Sequence, residues 1–150
     1  MVEPRLFHLL HLSHRAVFRA ADRTLAKQFD ITSAQQAVLM YLAENEGCRM
    51  SALAEAVGLK AAATSGLVDR MEKKALLERR AARHDGRSFE LFLKPVGSQV
   101  VKDSKALIIA SNEKLLDGFS LVERTKVAEF LETIAERANA LVVEQSENEG

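Results

Sequence analysis

Between residues 76 and 94 the hydrophobic pattern of this chain leaves helical spacing, and that change of period restricts the fold more than any other feature. Phe89, Leu91 and Leu93 alternate with Glu90, Phe92 and Lys94, the two-residue repeat of a half-buried strand. Leu76–Arg80 supplies a short partner strand. His84-Asp85-Gly86-Arg87 supplies the turn, Asp-Gly being a favoured hairpin pair. Apolar residues on both sides recur at helical spacing. The expected class is therefore mainly α (α+β), with one β-hairpin set into a helical chain.

Before the hairpin, Leu6, Leu10, Val17 and Leu25 predict one long helix from Arg5 to Phe29, free of Gly and Pro. Asp30-Ile31-Thr32-Ser33 breaks it, and Thr32 or Ser33 caps the next helix. Ala34, Val38, Tyr41 and Leu42 form that helix's apolar stripe, and Glu46-Gly47 ends it. A short helix follows from Ser51, with Leu53, Ala54 and Val57 inward and Gly58 as its stop. Residues 61–75 form another, with Thr64, Leu67, Val68, Met71 and Ala75 inward. After the hairpin, Pro95 suits the first turn of a helix over Val96–Leu116, because its missing N–H has no partner there anyway. Gly118-Phe119-Ser120 separates this from a last helix over Leu121–Val143, and Ser146–Gly150 is expected to fray. The order of elements is that of a winged helix-turn-helix lobe over 33–94, flanked by long helices at 5–29 and 96–143, in one domain spanning 1–150.

Composition narrows the function classes. A chain of 150 residues with 47% apolar and 28% charged residues can bury a core and is not a disordered tail. The lone Cys48 excludes an intramolecular disulfide framework and a Cys-based zinc site. The longest apolar run, Ala106–Ala110, is too short to span a bilayer. Arg5, Arg15, Arg19 and Arg23 interrupt the N-terminal apolar residues, so no signal-peptide core is present. These features point to a soluble, cytoplasmic protein with no membrane partner.

The formal net charge is zero. It conceals a segregation: residues 60–94 carry nine basic against five acidic side chains, and residues 103–150 carry five basic against ten acidic. A phosphate backbone responds to charge within a Debye length of about 8–10 Å, so the local excess counts and the total does not. Alone, such a run is usually a solvated face. Here it coincides with the elements of the lobe that suit DNA. Gly58 lets two short helices cross steeply, so that the second projects into a major groove. A helical wheel turns Ala62, Ser65, Gly66, Asp69, Arg70 and Lys73 outward. Small residues permit close approach to the bases, Ser65 reaches a base edge or phosphate, and Lys60, Arg70 and Lys73 meet phosphates. The turn presents Arg83 and Arg87 to a narrow minor groove, with Asp85 holding Arg87 by a charge-assisted bond. Alanines offer only methyl contacts, so DNA shape and the wing are expected to carry much of the specificity.

Residues 82–97, Ala-Arg-His-Asp-Gly-Arg-Ser-Phe-Glu-Leu-Phe-Leu-Lys-Pro-Val-Gly, resemble the wing signature of the MarR family of transcriptional regulators, matched at Asp85, Arg87, Leu91, Leu93 and Gly97. Leu53-Ala54-Glu55-Ala56-Val57-Gly58, Leu67-Val68-Asp69-Arg70-Met71-Glu72 and Leu76-Leu77-Glu78-Arg79 are similar to that family's reader-helix segment. The resemblance spans roughly residues 5–140. Lys94 replaces the usual Thr, Lys60 stands where a capping Ser is common, and the wing loop is short. The resemblance implies a homodimer built by the terminal helices, presenting two reader helices to a palindromic operator in double-stranded DNA. Val127, Phe130, Leu131, Ile134, Ala138 and Leu141 repeat at helical spacing in the last helix, as such an interface needs.

The resemblance also implies a repressor released by a small, often aromatic and anionic, effector. His11 and Arg15 share a helix face and suit a carboxylate or phenolate, and Met40 and Tyr41 could line the same cleft. The alternative is that all four are ordinary surface or interface residues. His8, His11 and His14 step by about 60° each, leaving His8 and His14 about 120° apart around the helix and unable to converge on one metal ion, so no metal is expected. Cys48, in a loop beside Arg49, reads as an inert thiol more readily than as a redox sensor. No Gly-rich phosphate loop or nucleophile–base pair appears, so neither an enzyme nor a cofactor is expected. The competing function is a winged-helix protein-interaction module without specific DNA binding.

Overall fold

A computed structural model describes residues 5–148. Six helices and three strands follow in the order α1 (Leu6–Phe29), α2 (Ser33–Glu44), β1 (Cys48–Arg49), α3 (Met50–Val57), α4 (Ala61–Lys73), β2 (Leu77–Ala82), β3 (Asp85–Leu93), α5 (Pro95–Leu115) and α6 (Leu121–Asn148). Two compact units divide the chain, Met1–Leu107 and Ile108–Gly150.

The junctions of the first unit follow from local chemistry. Asp30 ends α1 in the left-handed region, its N–H donating to the Ala26 carbonyl, a conformation Asp tolerates better than most residues. Thr32 then caps α2 reciprocally: its hydroxyl accepts from the Gln35 N–H, and the Gln35 side-chain oxygen accepts from the Thr32 N–H. Asp22 of α1 accepts from the Ser33 N–H at 2.7 Å, fixing the corner between the two helices. Gly58 closes α3 at φ 67°, and the chain turns into α4 behind Lys60, whose side chain makes no cap.

One apolar core joins these elements. Leu25, Ile31, Val38, Leu39, Leu42, Leu53, Leu67, Val68, Met71, Leu76, Leu77 and Leu91 form a single buried cluster. Burial of this kind stabilises by roughly 25 cal/mol per Å² of apolar surface, which makes the cluster the main support of the lobe. The α2 stripe is rotated from the expected one: Val38 and Leu42 are buried, but Ala34 is exposed and Leu39 takes an inward place. The capping box explains the rotation, because it draws Gln35 inward and turns Ala34 out.

The sheet has strand order β1-β3-β2, all antiparallel. Cys48 pairs with Leu91 and Arg49 with Glu90, so Cys48 lies in an edge strand and not in a loop as the sequence suggests. The hairpin also turns elsewhere than expected. Ala82 pairs with Asp85, which leaves Arg83-His84 as the tight turn, and Asp85-Gly86 already belongs to β3. The register shifts between Ala81 and Ala82, so residues 86–88 form an irregular bulge behind the tip. Strand β2 runs to Ala82, two residues beyond the expected end.

Helix α4 stops at Lys73, and Ala75, expected on its inner stripe, lies beyond it at φ 56°. Leu76 then enters the core, and its carbonyl accepts from the Lys94 N–H at 3.0 Å. Gly97, in the first turn of α5, packs on that same carbonyl so closely that a Cβ would overlap the oxygen. In the second unit Gly118 (φ 81°) separates the helices, and Ser120 caps α6 by accepting from the Glu123 N–H. Arg124 reaches back to Glu113 at 3.0 Å. Helix α6 continues to Asn148, beyond the expected end at Val143 and through the first part of the segment expected to fray. Residues 149 and 150 lie outside the described residues.

Candidate nucleic-acid interface

Two elements of the first unit present exposed cations without acidic partners. On α4, Thr64, Leu67, Val68 and Met71 are buried, which fixes the outward side of the helix. Lys60, Ala62, Arg70 and Lys73 are exposed, whereas Ser65 and Gly66, which the helical wheel turns outward, are half-buried. Ala61, Ala62 and Ala63 are all exposed, giving the N-terminal turn a smooth surface that a duplex can approach. The Thr64 hydroxyl is turned away, donating to the Lys60 carbonyl at 3.0 Å.

On the hairpin, Arg83, His84, Asp85, Gly86 and Arg87 are all exposed. Asp85 organises this tip through the backbone: its Oδ1 accepts from the Arg87 N–H at 3.1 Å, and its carbonyl accepts from the Ser88 hydroxyl. The expected bond from Asp85 to the Arg87 guanidinium is not made. The bulge places the Arg87 amide over the carboxylate and leaves the guanidinium unpaired among the described residues.

Reader helix and wing are tied by contacts that the sequence reading did not find. Arg79 of β2 reaches both acidic residues of α4, Asp69 at 2.6 Å and Glu72 at 2.7 Å. Glu72 also accepts from the Arg79 N–H at 3.2 Å, so one carboxylate holds both the backbone and the side chain. Burial opposes the charge on Arg79, but the hydrogen bonds and charges of Asp69 and Glu72 outweigh it and raise its pKa above the ordinary value. Asp69 is therefore not a free outward residue but one end of a brace. The neighbouring Arg80 bonds Glu78 and lies 4.1 Å from the centre of the Phe92 ring. Lys74 pairs with Asp30 at 3.0 Å.

These pairs refine the basic excess. Of the nine cations in residues 60–94, Lys74, Arg79 and Arg80 are committed to structure. Lys60, Arg70, Lys73, Arg83, Arg87 and Lys94 have no acidic partner among the described residues, and the first five are exposed.

The candidate effector residues are less organised. His11 and Arg15 are exposed on α1, and Met40 and Tyr41 are half-buried on α2. Tyr41 packs against the core. No hydrogen bond among the described residues joins His11 or Arg15 to Tyr41. One further group belongs with them: the Gln36 Nε2, one turn before Met40, is buried and has no hydrogen-bond partner among the described residues, an arrangement that costs stability. Its amide donor was not legible in a stripe read for apolar residues. His14, the third histidine of α1, stacks on Phe18 with ring centres 4.4 Å apart. Burial pushes the Cys48 thiol up, opposite to the shift of a reactive cysteine. Among the described residues no group of three or more His, Cys, Asp or Glu could hold a metal, and no helix is long and apolar enough to cross a membrane.

Known proteins share this arrangement. Residues 29–88 match the MarR family. The fold is similar to that of MepR from S. aureus, solved as a DNA complex (TM-score 0.83, 23% identity, 91% of this chain and 99% of that one). It is similar to a MarR family transcription regulator (TM-score 0.80, 23% identity, 92% and 93% covered). It is also similar to a probable transcriptional regulator from Pseudomonas aeruginosa (TM-score 0.74, 26% identity, 87% and 99% covered). Comparison with curated proteins returns no significant match. The matched stretch, residues 29–88, holds α2, α4 and the hairpin tip, so the part of the chain that carries the candidate interface is the part similar to the MarR family.

Proposed function

We propose that the chain is a cytoplasmic homodimeric repressor that binds a palindromic operator and is released by a small anionic, aromatic ligand. The observation that carries the DNA contact is the pairing of a smooth, exposed α4 N-terminus with unpaired Arg83 and Arg87 on a wing braced to the same helix. In this reading Ala62, Ser65 and Gly66 enter the major groove, and Lys60, Arg70 and Lys73 hold phosphates. Arg83 and Arg87 enter the minor groove, with Asp85 shaping the tip. MepR, of the same fold, was solved with DNA.

Dimerisation is supported by apolar side chains left uncovered within each unit. Phe7, Leu12 and Phe18 on α1 are exposed, and so are Val127, Phe130, Leu131 and Leu141 on α6. Exposed apolar patches of this extent mark interfaces. For the effector, the unpaired Gln36 amide supports a polar ligand beside Met40 and Tyr41, with His11 and Arg15 as candidate anion partners. In this reading the helices at 5–29 and 96–143 dimerise and the lobe at 33–94 binds DNA.

Gel shifts against the promoter region of the chain's own gene test the reading. A specific shift, lost on adding a benzoate-type acid that also raises the melting temperature, is expected. A stable dimer with no specific shift at any salt leaves the protein-interaction module in its place. Arg87→Ala is expected to weaken binding and lower the slope of log K against log salt by about 0.9, one phosphate contact. An unchanged slope and affinity remove Arg87 from the interface.

A further inference from the structure

Helix α1 carries a second basic surface that the operator contact does not use. Arg15, Arg19, Arg23 and Lys27 recur every four residues, and all four are exposed. Each step advances about 6 Å and rotates about 40°, so the cations form a gently winding ladder about 18 Å long. Arg19, Arg23 and Lys27 lie about 120–160° around the helix from Leu25, the residue by which α1 enters the core. They therefore point away from the lobe.

No ion pair among the described residues neutralises this ladder. The only acidic residue of α1 is Asp22, and its carboxylate is committed to the Ser33 N–H. None of the four cations takes part in an ion pair among the described residues, whereas Lys74, Arg79, Arg80 and Arg124 all do. Like charges at four-residue spacing destabilise a helix, so the arrangement works against folding unless a partner relieves it.

The chemistry of the stripe selects the partner. Ala16, Ala20 and Ala26 fill the spaces along Arg19, Arg23 and Lys27, whereas the exposed Val17 and Phe18 stand beside Arg15 and the bulky Phe7, Leu9 and Leu12 lie further upstream. A helix seated in a lipid surface needs large apolar side chains beside its cations, and from Arg19 to Lys27 the only one, Leu25, is buried in the core. Regular charge on a smooth rod fits a phosphate polymer. The ladder's C-terminal end is pinned at Asp30 to Lys74, which follows the last residue of α4. The groove-reading end is the opposite one, about 20 Å away along a helix of 13 residues. A major groove about 8.5 Å deep takes in only the first part of α4, so the ladder stands clear of that duplex.

We propose that α1 is a sequence-independent docking surface for the backbone of a second DNA duplex, through Arg19, Arg23 and Lys27 with Arg15 at its margin. The inference takes its choice of partner from the DNA-binding reading above and adds a bridging activity to it.

A bead-capture experiment tests it. A random-sequence duplex is immobilised, protein is bound at about 50 mM salt, and a fluorescent second duplex is added. Wild type captures the second duplex. Arg19→Gln/Arg23→Gln/Lys27→Gln binds the first duplex within twofold of wild type, melts at the same or a higher temperature, and loses capture at least tenfold. Capture by the variant within twofold of wild type overturns the proposal. So does protein that binds a first duplex but no second, or that prefers vesicles of anionic lipid to the second duplex. Wild type that binds no duplex at all overturns the operator reading together with this one.

Discussion

Ala75 occupies a backbone position that suits glycine. At φ 56° its Cβ crowds the following carbonyl, which costs roughly 1–2 kcal/mol for a residue other than Gly. Glycine loses more freedom on folding, about 0.5–1 kcal/mol, so the two effects nearly oppose. Ala75→Gly is expected to stabilise the fold by about 0.5–1 kcal/mol, read as a higher urea midpoint with unchanged slope. A lower midpoint would show that the left-handed turn is not strained. Arg79 is the opposite case, since its removal leaves two carboxylates facing each other. Arg79→Met is expected to cost about 1–2 kcal/mol, less than a fully buried pair because Asp69 is half-exposed. It should also weaken DNA binding more than the paired surface variant Arg80→Met does. Equal effects in a binding titration would deny Arg79 its bracing role. At this scale the sequence was half legible. A helical wheel places Asp69, Arg70 and Lys73 outward from local spacing alone. It cannot tell that Asp69 meets an arginine ten residues later, because that contact depends on the strand register.

The elements were more legible than their ends. Helical and alternating periods are averages over several residues, so α1, α2, α4, α5 and α6 could all be placed. Strand β1 has only two residues and no period to read, and it exists only because Leu91 and Glu90 offer free backbone groups. The hairpin turn moved for a related reason. Asp85-Gly86 is a good turn pair, but the bulge lets Ala82 reach Asp85 and shifts the tip to Arg83-His84. The start of α6 shows an element held by one cap. The Ser120 hydroxyl and N–H both donate to Glu123, which lowers the carboxyl below the ordinary 4.5. The cap's stabilisation is therefore complete above pH 4.5 and lost as pH falls through the lowered value. The Ser120 amide resonance should follow that titration with a midpoint below 4.5. A midpoint above it, or no movement, would mean that the cap is not formed in solution.

The whole molecule raises the question of which surfaces are finished. The uncovered apolar residues of α6 are accounted for if the chain pairs with a copy of itself, and Phe130→Glu/Leu131→Glu then disrupts that pairing. Sedimentation should show a monomer, with operator affinity reduced at least tenfold because two half-sites are no longer linked. A variant that sediments as the wild type does would place the contact elsewhere. The sheet, by contrast, is finished without a partner. Its long outer strand, β2, carries Glu78, Arg79 and Arg80 in sequence, while the apolar β3 sits between two neighbours. Charged side chains along a free edge resist the addition of a foreign strand. Wings crowded side by side along a duplex are thereby kept from zipping into a continuous sheet, so high local concentration on DNA need not become aggregation.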